Sequence, residues 1–187
     1  MKVLRFFSVI MLSCFLLSCS SDSELGKFES GFAIYTAKNI TTYNHSIDYS
    51  QIKLDTIEVN EKPFLTGGDI ISYDQATHVL TLNKNRKELT FPGQSVYGQM
   101  FIVYLYDKPV YCGFFWYSFS SVPCNWIYIR DTNENEGLKS NQIEISAGYP
   151  DPFFFNGKDP RSNNEITEFF KSAGKLIEGK HIFFPGL

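Results

Sequence analysis

Histidine is scarce in this 187-residue chain: His45, His78 and His181 are the whole complement. None belongs to an H-x3-H or H-E-x-x-H pair, and none lies close in sequence to a cysteine, which removes the common zinc-site spacings. Cysteine is nearly as sparse. Cys112 and Cys124 form a C-x11-C spacing without histidine partners, so neither a metal centre nor a cofactor is expected. Basic runs are missing too. Lys84, Arg86 and Lys87 are interrupted and balanced by Glu88, which reads as a solvated loop and excludes a nucleic-acid surface. The apolar run from Phe6 to Leu17 stops well short of the ~20 residues a membrane-spanning helix needs. No internal repeat occurs.

Catalytic patterns are absent in the same way. In Gly93-Gln94-Ser95-Val96-Tyr97-Gly98 the second glycine falls one residue too late for a nucleophile elbow, and no clear strand feeds the turn. Leu65-Thr66-Gly67-Gly68-Asp69 lacks the lysine and spacing of a phosphate loop. Asp151 and Asp159 flank a phenylalanine triplet, and Glu165 and Glu168 share a helix, but nothing in the pattern sets a carboxylate pair across a cleft. His78 reads as a surface or satisfied core residue of a strand. Asp159-Pro160-Arg161 reads as the fastening of the loop before the last helix. An enzyme is therefore the least favoured reading.

Aromatic residues, in contrast, make up 17% of the chain and are clustered. Met100 to Phe119 reads as two apolar strands folded back at Asp107-Lys108-Pro109. Phe101, Val103 and Leu105 alternate with Met100, Ile102, Tyr104 and Tyr106, so both faces of the hairpin are apolar and both should be covered. Within it, Phe114-Phe115-Trp116-Tyr117 offers either core or a stacking platform. Phe153-Phe154-Phe155 sits among turn formers, and consecutive side chains diverge. The triplet is either folded over the sheet as core or, if a ring is exposed, a contact surface. Trp116, Tyr117, Phe153, Phe154 and Phe155 are the candidate contact residues. Cys112 and Cys124 flank a loop that could set them opposite each other across a second hairpin; a disulfide and two buried free thiols both fit.

Further strands are expected at Gly31–Lys38, near Thr56–Val59, at Ile70–Tyr73, His78–Leu82, Trp126–Arg130 and Asn141–Ala147. A short helix is expected around Ser46 to Ile52. The last helix has a capping-box pattern with Ser162 at the N-cap and Glu165 three residues on. Its stripe is Ile166, Phe169, Phe170, Ala173, Leu176 and Ile177, stopped by Gly179. Ile182-Phe183-Phe184 adds an edge strand. The class is α+β: a mainly antiparallel sheet around the apolar hairpin, covered on one face by the C-terminal amphipathic helix.

At the N-terminus, Lys2 and Arg5 precede the apolar stretch Phe6 to Leu17, the pattern of a secretory signal. Leu16-Leu17-Ser18-Cys19 follows and resembles the lipobox of bacterial lipoproteins; Cys14 is a poorer candidate because it shortens the apolar region too far. The resemblance implies a signal peptide at 1–18, diacylation at Cys19, a flexible tether at 19–30 and one domain at 31–187. It also implies, from Ser20 after the cysteine, the outer membrane rather than the inner, with the side left open. The processed chain carries 15 basic and 20 acidic side chains. Phe32-Ala33-Ile34-Tyr35, then Phe64-Leu65-Thr66-Gly67-Gly68-Asp69-Ile70, then Phe101 to Val110 resemble the head part of the first periplasmic domain of the Sec translocon membrane subunit. That likeness covers 31–130 and implies a fold, with no functional residue carried over; Gly148 to Leu187 has no counterpart. The expectation for function is a lipid-anchored, non-catalytic protein-interaction or binding module of the envelope. The alternative is a glycan-binding lipoprotein with an aromatic platform.

Overall fold

Runs rich in β-branched and aromatic residues, punctuated by Gly, Asn and Asp, give the chain its many short strands. The computed structural model describes residues 31–39, 42–93, 95–131 and 137–179. The expected signal segment, lipidation at Cys19, tether and Ile182-Phe183-Phe184 edge strand all fall outside the described residues. In chain order the strands are β1 (Phe32–Thr36), β2 (Leu65–Thr66), β3 (Ile70–Asp74), β4 (Val79–Leu82), β5 (Gln99–Leu105), β6 (Lys108–Trp116), β7 (Cys124–Arg130), β8 (Gln142–Glu144), β9 (Ser146–Tyr149) and β10 (Leu176–Ile177). One helix, α1 (Asn164–Ser172), lies between β9 and β10.

These strands form two sheets, ordered β2-β1-β5-β6-β7-β9 and β10-β3-β4-β8. Pairing is antiparallel except between β6 and β7 and between β3 and β10. The fold is α+β, mostly strand with a single helix among the described residues. β8 pairs with β4 and β9 pairs with β7, so the chain changes sheets at Ile145, whose N–H donates to His78 O at 3.1 Å. One hydrophobic cluster runs through both sheets.

The β5–β6 hairpin sits at the centre of the larger sheet, turning at Tyr106-Asp107, a residue earlier than expected. Every residue from Met100 to Leu105 and from Tyr111 to Tyr117 is buried, as two apolar faces require. Gly113 is where the packing is tightest: the Phe101 ring lies over it, and a Cβ there would come within 2.3 Å of that ring.

After Tyr117 the chain crosses over and returns parallel to β6, so the expected second hairpin does not form. The register pairs Phe114 with Tyr128, which puts Cys112 level with Trp126 and not with Cys124. Trp126 Nε1 donates to Cys112 O at 2.9 Å. Both cysteines are buried free thiols, each pushed up to about 12 by burial. The disulfide is excluded in this arrangement, and thiols so rarely ionised are unreactive.

Other corrections are local. Ser46 to Ile52 holds only the single turn Tyr49–Gln51, capped by Asp48. Near Thr56–Val59 only Val59 pairs, in an isolated bridge with Ala37. His78 is a turn residue with φ 55°, ahead of β4 and not within it. The helix starts one residue late: Asn163 caps it, accepting from Glu165 N at 2.7 Å, and Ser162 belongs to the preceding turn. Gly174, with φ 67°, follows the end of the helix, five residues before Gly179. Leu176 and Ile177 therefore leave the helical stripe and pair in parallel with β3. Ile166 and Phe170 are buried; the Phe170 ring meets Phe32 at 5.0 Å and Tyr73 at 4.8 Å.

Candidate functional site

The segment from Gly148 to Asn164 connects the end of β9 to α1 and runs between two surface clefts. The larger, of about 720 Å³, is lined on one side by Thr77, His78 and Val79 and on the other by Gly148, Pro150, Pro152, Phe155 and Arg161. Tyr128, Arg130 and Glu144 also line it. Sheet switching explains why these groups meet: Ile145 hydrogen-bonds the His78 backbone just before β9 delivers the chain into the loop.

His78 is the most specialised residue of this cleft. It is only 8% exposed, and it sits in the left-handed backbone region that costs a non-glycine residue of order 1 kcal/mol. Its Nδ1 is hydrogen-bonded to Tyr73 OH at 2.7 Å. No hydrogen bond engages Nε2 among the described residues, which leaves that nitrogen as the ring atom able to meet a ligand. Burial, reinforced by the Arg161 charge, lowers the His78 pKa to about 4 against the opposing pull of Asp159 and Asp74. The imidazole is therefore neutral at pH 7. Tyr73 is raised by burial and stays a phenol.

Arg161 is held in place before any ligand arrives. Its Nε donates to Asp159 Oδ1 at 2.9 Å, Nη2 to Asp159 Oδ2 at 2.7 Å, and Nη1 to Ile145 O at 2.7 Å. Burial alone would raise the Asp159 pKa, but the hydrogen bonds and charge of Arg161 outweigh it and keep the carboxyl below its usual range. Arg130 lies over the Tyr149 ring at 5.5 Å. No serine, threonine or cysteine is hydrogen-bonded to His78 among the described residues, and no group of three or more metal-ligating side chains converges there.

The aromatic candidates divide sharply. Trp116 is 0% exposed and Tyr117 3%, with the Tyr117 hydroxyl donating to Pro92 O. Neither forms a contact surface, and an aromatic platform built on them is ruled out by burial. Phe153 is 98% exposed and Phe154 45%. Phe155 turns inward and stacks on Trp126 at 5.6 Å. The three rings diverge because Pro152–Phe154 is a single tight turn: Asp151 caps it by accepting from Phe153 N at 2.9 Å, and Phe154 N and Phe155 N donate to Asp151 O and Pro152 O. Asn156 N then donates to Asn125 O at 3.0 Å, tying the loop to β7.

The second cleft, of about 600 Å³, lies on the other side of the segment and is lined by Tyr49, Ile52, Val110, Tyr111, Trp126 and Asp159. Its rings show no open face: Tyr49 and Trp126 are each 3% exposed, and Trp126 already meets Phe155 and Tyr49. Nothing in the sequence marks His78, Tyr73 and Arg161 as neighbours. Only Asp159-Pro160-Arg161 stands out there, as a loop fastening, and the Arg161–Asp159 pair does that. Among the described residues no helix is long and apolar enough to cross a membrane. No family model matches the chain, and no curated protein or solved structure matches it.

Proposed function

We propose that the chain is a lipid-anchored protein of the bacterial cell envelope, held in the outer membrane through Cys19, and that its domain is a non-catalytic binding module for an envelope protein. The observation that carries the binding reading is the His78 cleft. His78, a buried neutral imidazole whose Nδ1 is bonded to Tyr73 OH, lines a 720 Å³ cleft that is also lined by Arg161, itself held by Asp159. Preformed polar groups in a concave, partly apolar site are what recognition uses. The same reading takes α1 as a cover over the sheet where Phe170 meets Phe32 and Tyr73. A glycan-binding module would pair an open ring face with polar groups, and Phe153, the most exposed ring, does not line the His78 cleft.

The test is a photo-crosslinking residue placed at Thr77, on the cleft rim, in cells carrying the full chain. Ile71, 54% exposed on β3, is the control position. A discrete protein adduct from position 77 and none from 71 is expected, weakened by His78→Gln. No adduct from 77, or equal yields from both positions, would overturn the assignment.

A further inference from the structure

We propose that the Phe153–Phe154 tip docks the domain onto the lipid bilayer in which Cys19 is anchored, an inference that rests on the lipid-anchor part of the function proposed above. Phe153 keeps nearly its whole side chain in water, and no other large apolar side chain of the described residues approaches its exposure. The turn that carries it is fixed by the Asp151 cap, by the Phe155–Trp126 stack and by the bond to Asn125. A rigid display loses little conformational entropy when it is buried, so the apolar area is available to drive docking.

Strand directions decide what the tip faces. β1 is antiparallel to β5, β5 to β6, β6 is parallel to β7, and β7 is antiparallel to β9. β1 therefore begins at the same end of the sheet at which β9 finishes. Gly31, where the chain from Cys19 arrives, and the loop carrying Phe153 are at one end. Four strand steps of about 4.8 Å separate β1 from β9, roughly 19 Å across the sheet. The eleven residues from Ser20 to Ser30 span no more than about 40 Å, so a bilayer holding Cys19 lies within reach of that end.

The end itself has the character of an interfacial surface. Tyr106, 57% exposed, occupies the β5–β6 turn and its N–H donates to Gly31 O, which fixes it beside the point of attachment. Lys108 and Lys158 are exposed nearby in sequence, as are Asp107 and Asp151, the latter turned back onto the Phe153 N–H. Exposed aromatic rings with lysines a few residues away match the residue types enriched at the bilayer interface. At the opposite end, Tyr97 and Phe119 are each about half exposed, and Phe119 is stacked on Tyr117 at 5.4 Å. A diacylated Cys19 already supplies stable attachment, so the contact at the tip adds orientation of the domain on the bilayer.

Lipidated full-length protein with Phe153→Cys, labelled with an environment-sensitive fluorophore, is reconstituted into phosphatidylethanolamine–phosphatidylglycerol vesicles. Phe119→Cys is the control, and the buried Cys112 and Cys124 stay unlabelled in the folded protein. The label at 153 should shift to the blue and be quenched several-fold more by spin-labelled lipid than the label at 119. A water-like signal at 153 on vesicle-bound protein overturns the docking alone. A blue shift without lipid quenching means that a second copy covers the tip, and also overturns it. Cys19→Ser protein that fractionates with membranes as the wild type does overturns the anchor, and the docking with it.

Discussion

Phe114-Phe115-Trp116 and Phe153-Phe154-Phe155 are both triplets of consecutive aromatic residues, yet the first is wholly buried and the second leaves one ring fully in water. The difference lies in what surrounds the backbone. In β6 successive side chains point to opposite faces, and both faces of a central strand are covered, so every ring finds a place. Phe114 packs against Tyr43 and Tyr49 on one face, and Phe115 against Phe64, Phe91 and Phe101 on the other. In the tight turn at Pro152–Phe154 the side chains fan outward and only Phe155 reaches the sheet. Aromatic content alone therefore does not decide burial; the backbone it rides on does.

The comparison breaks most easily on stability. Trp116→Ala should cost about 3–5 kcal/mol in urea denaturation, the range for deleting a buried aromatic ring. Phe153→Ala should stay within about 0.5 kcal/mol of wild type, because nothing packed is lost. Comparable losses from the two would mean that Phe153 is buried in solution, and the contrast would disappear.

How much of this could be read from residues alone follows the same division. The β5–β6 hairpin was legible because alternation over six or seven residues with two apolar faces has one good solution, a covered central strand. The parallel return of β7 was not. Nothing in Ser118 to Pro123 distinguishes a crossover from a hairpin loop, and the direction of a strand is set by its neighbours' pairing. Of the two states left open for Cys112 and Cys124, the disulfide falls with that hairpin and the buried free thiols are found. Leu176 and Ile177 continue a helical stripe in period, but Gly174 lies ahead of them in the left-handed conformation and releases them to β10. The His78 cleft was illegible for a different reason. Its walls come from the β3–β4 turn, from β7 and from the loop after β9, and the contact between them arises only at the sheet switch at Ile145.

A pH titration sharpens the contrast between the polar cleft and the apolar hairpin. The unfolded chain protonates His78 near pH 6.5, while the folded protein holds it neutral down to about pH 4. The unfolded state therefore binds more protons in that window, and stability falls as pH drops from about 6.5 towards 4. The loss should reach roughly 2–3 kcal/mol, seen as a falling urea midpoint. His78→Gln should flatten this slope without touching the part caused by Asp69 and Asp159, whose depressed pKa values act lower on the scale. An unchanged slope in the variant would mean that the imidazole is hydrated and not buried.

The loop's geometry has its own point of failure. Gly148 holds φ 73°, and a Cβ there would lie 2.6 Å from Phe155 N. Gly148→Ala should cost about 1–3 kcal/mol, since strain and a backbone clash combine. It should also displace the tip, lowering the lipid quenching of a label at 153 while Gly113→Ala, a clash inside the hairpin, leaves that quenching unchanged in the fraction that folds.

The smallest effect separates the two tryptophans. Trp126 Nε1 donates to Cys112 O, whereas Trp116 Nε1 is buried with no partner among the described residues. Phenylalanine at either position removes similar ring volume. At 126 it also strands the Cys112 carbonyl, but at 116 it relieves an unsatisfied donor. A buried group left without its partner costs about 1–3 kcal/mol, so Trp126→Phe should be the more destabilising by roughly 1 kcal/mol or more. Equal losses in urea midpoints would show that the Trp116 N–H is satisfied in solution. In that event the face of β6 against Tyr43 is wetter than its complete burial suggests, and the distinction between a dry hairpin and a solvent-facing loop becomes one of degree.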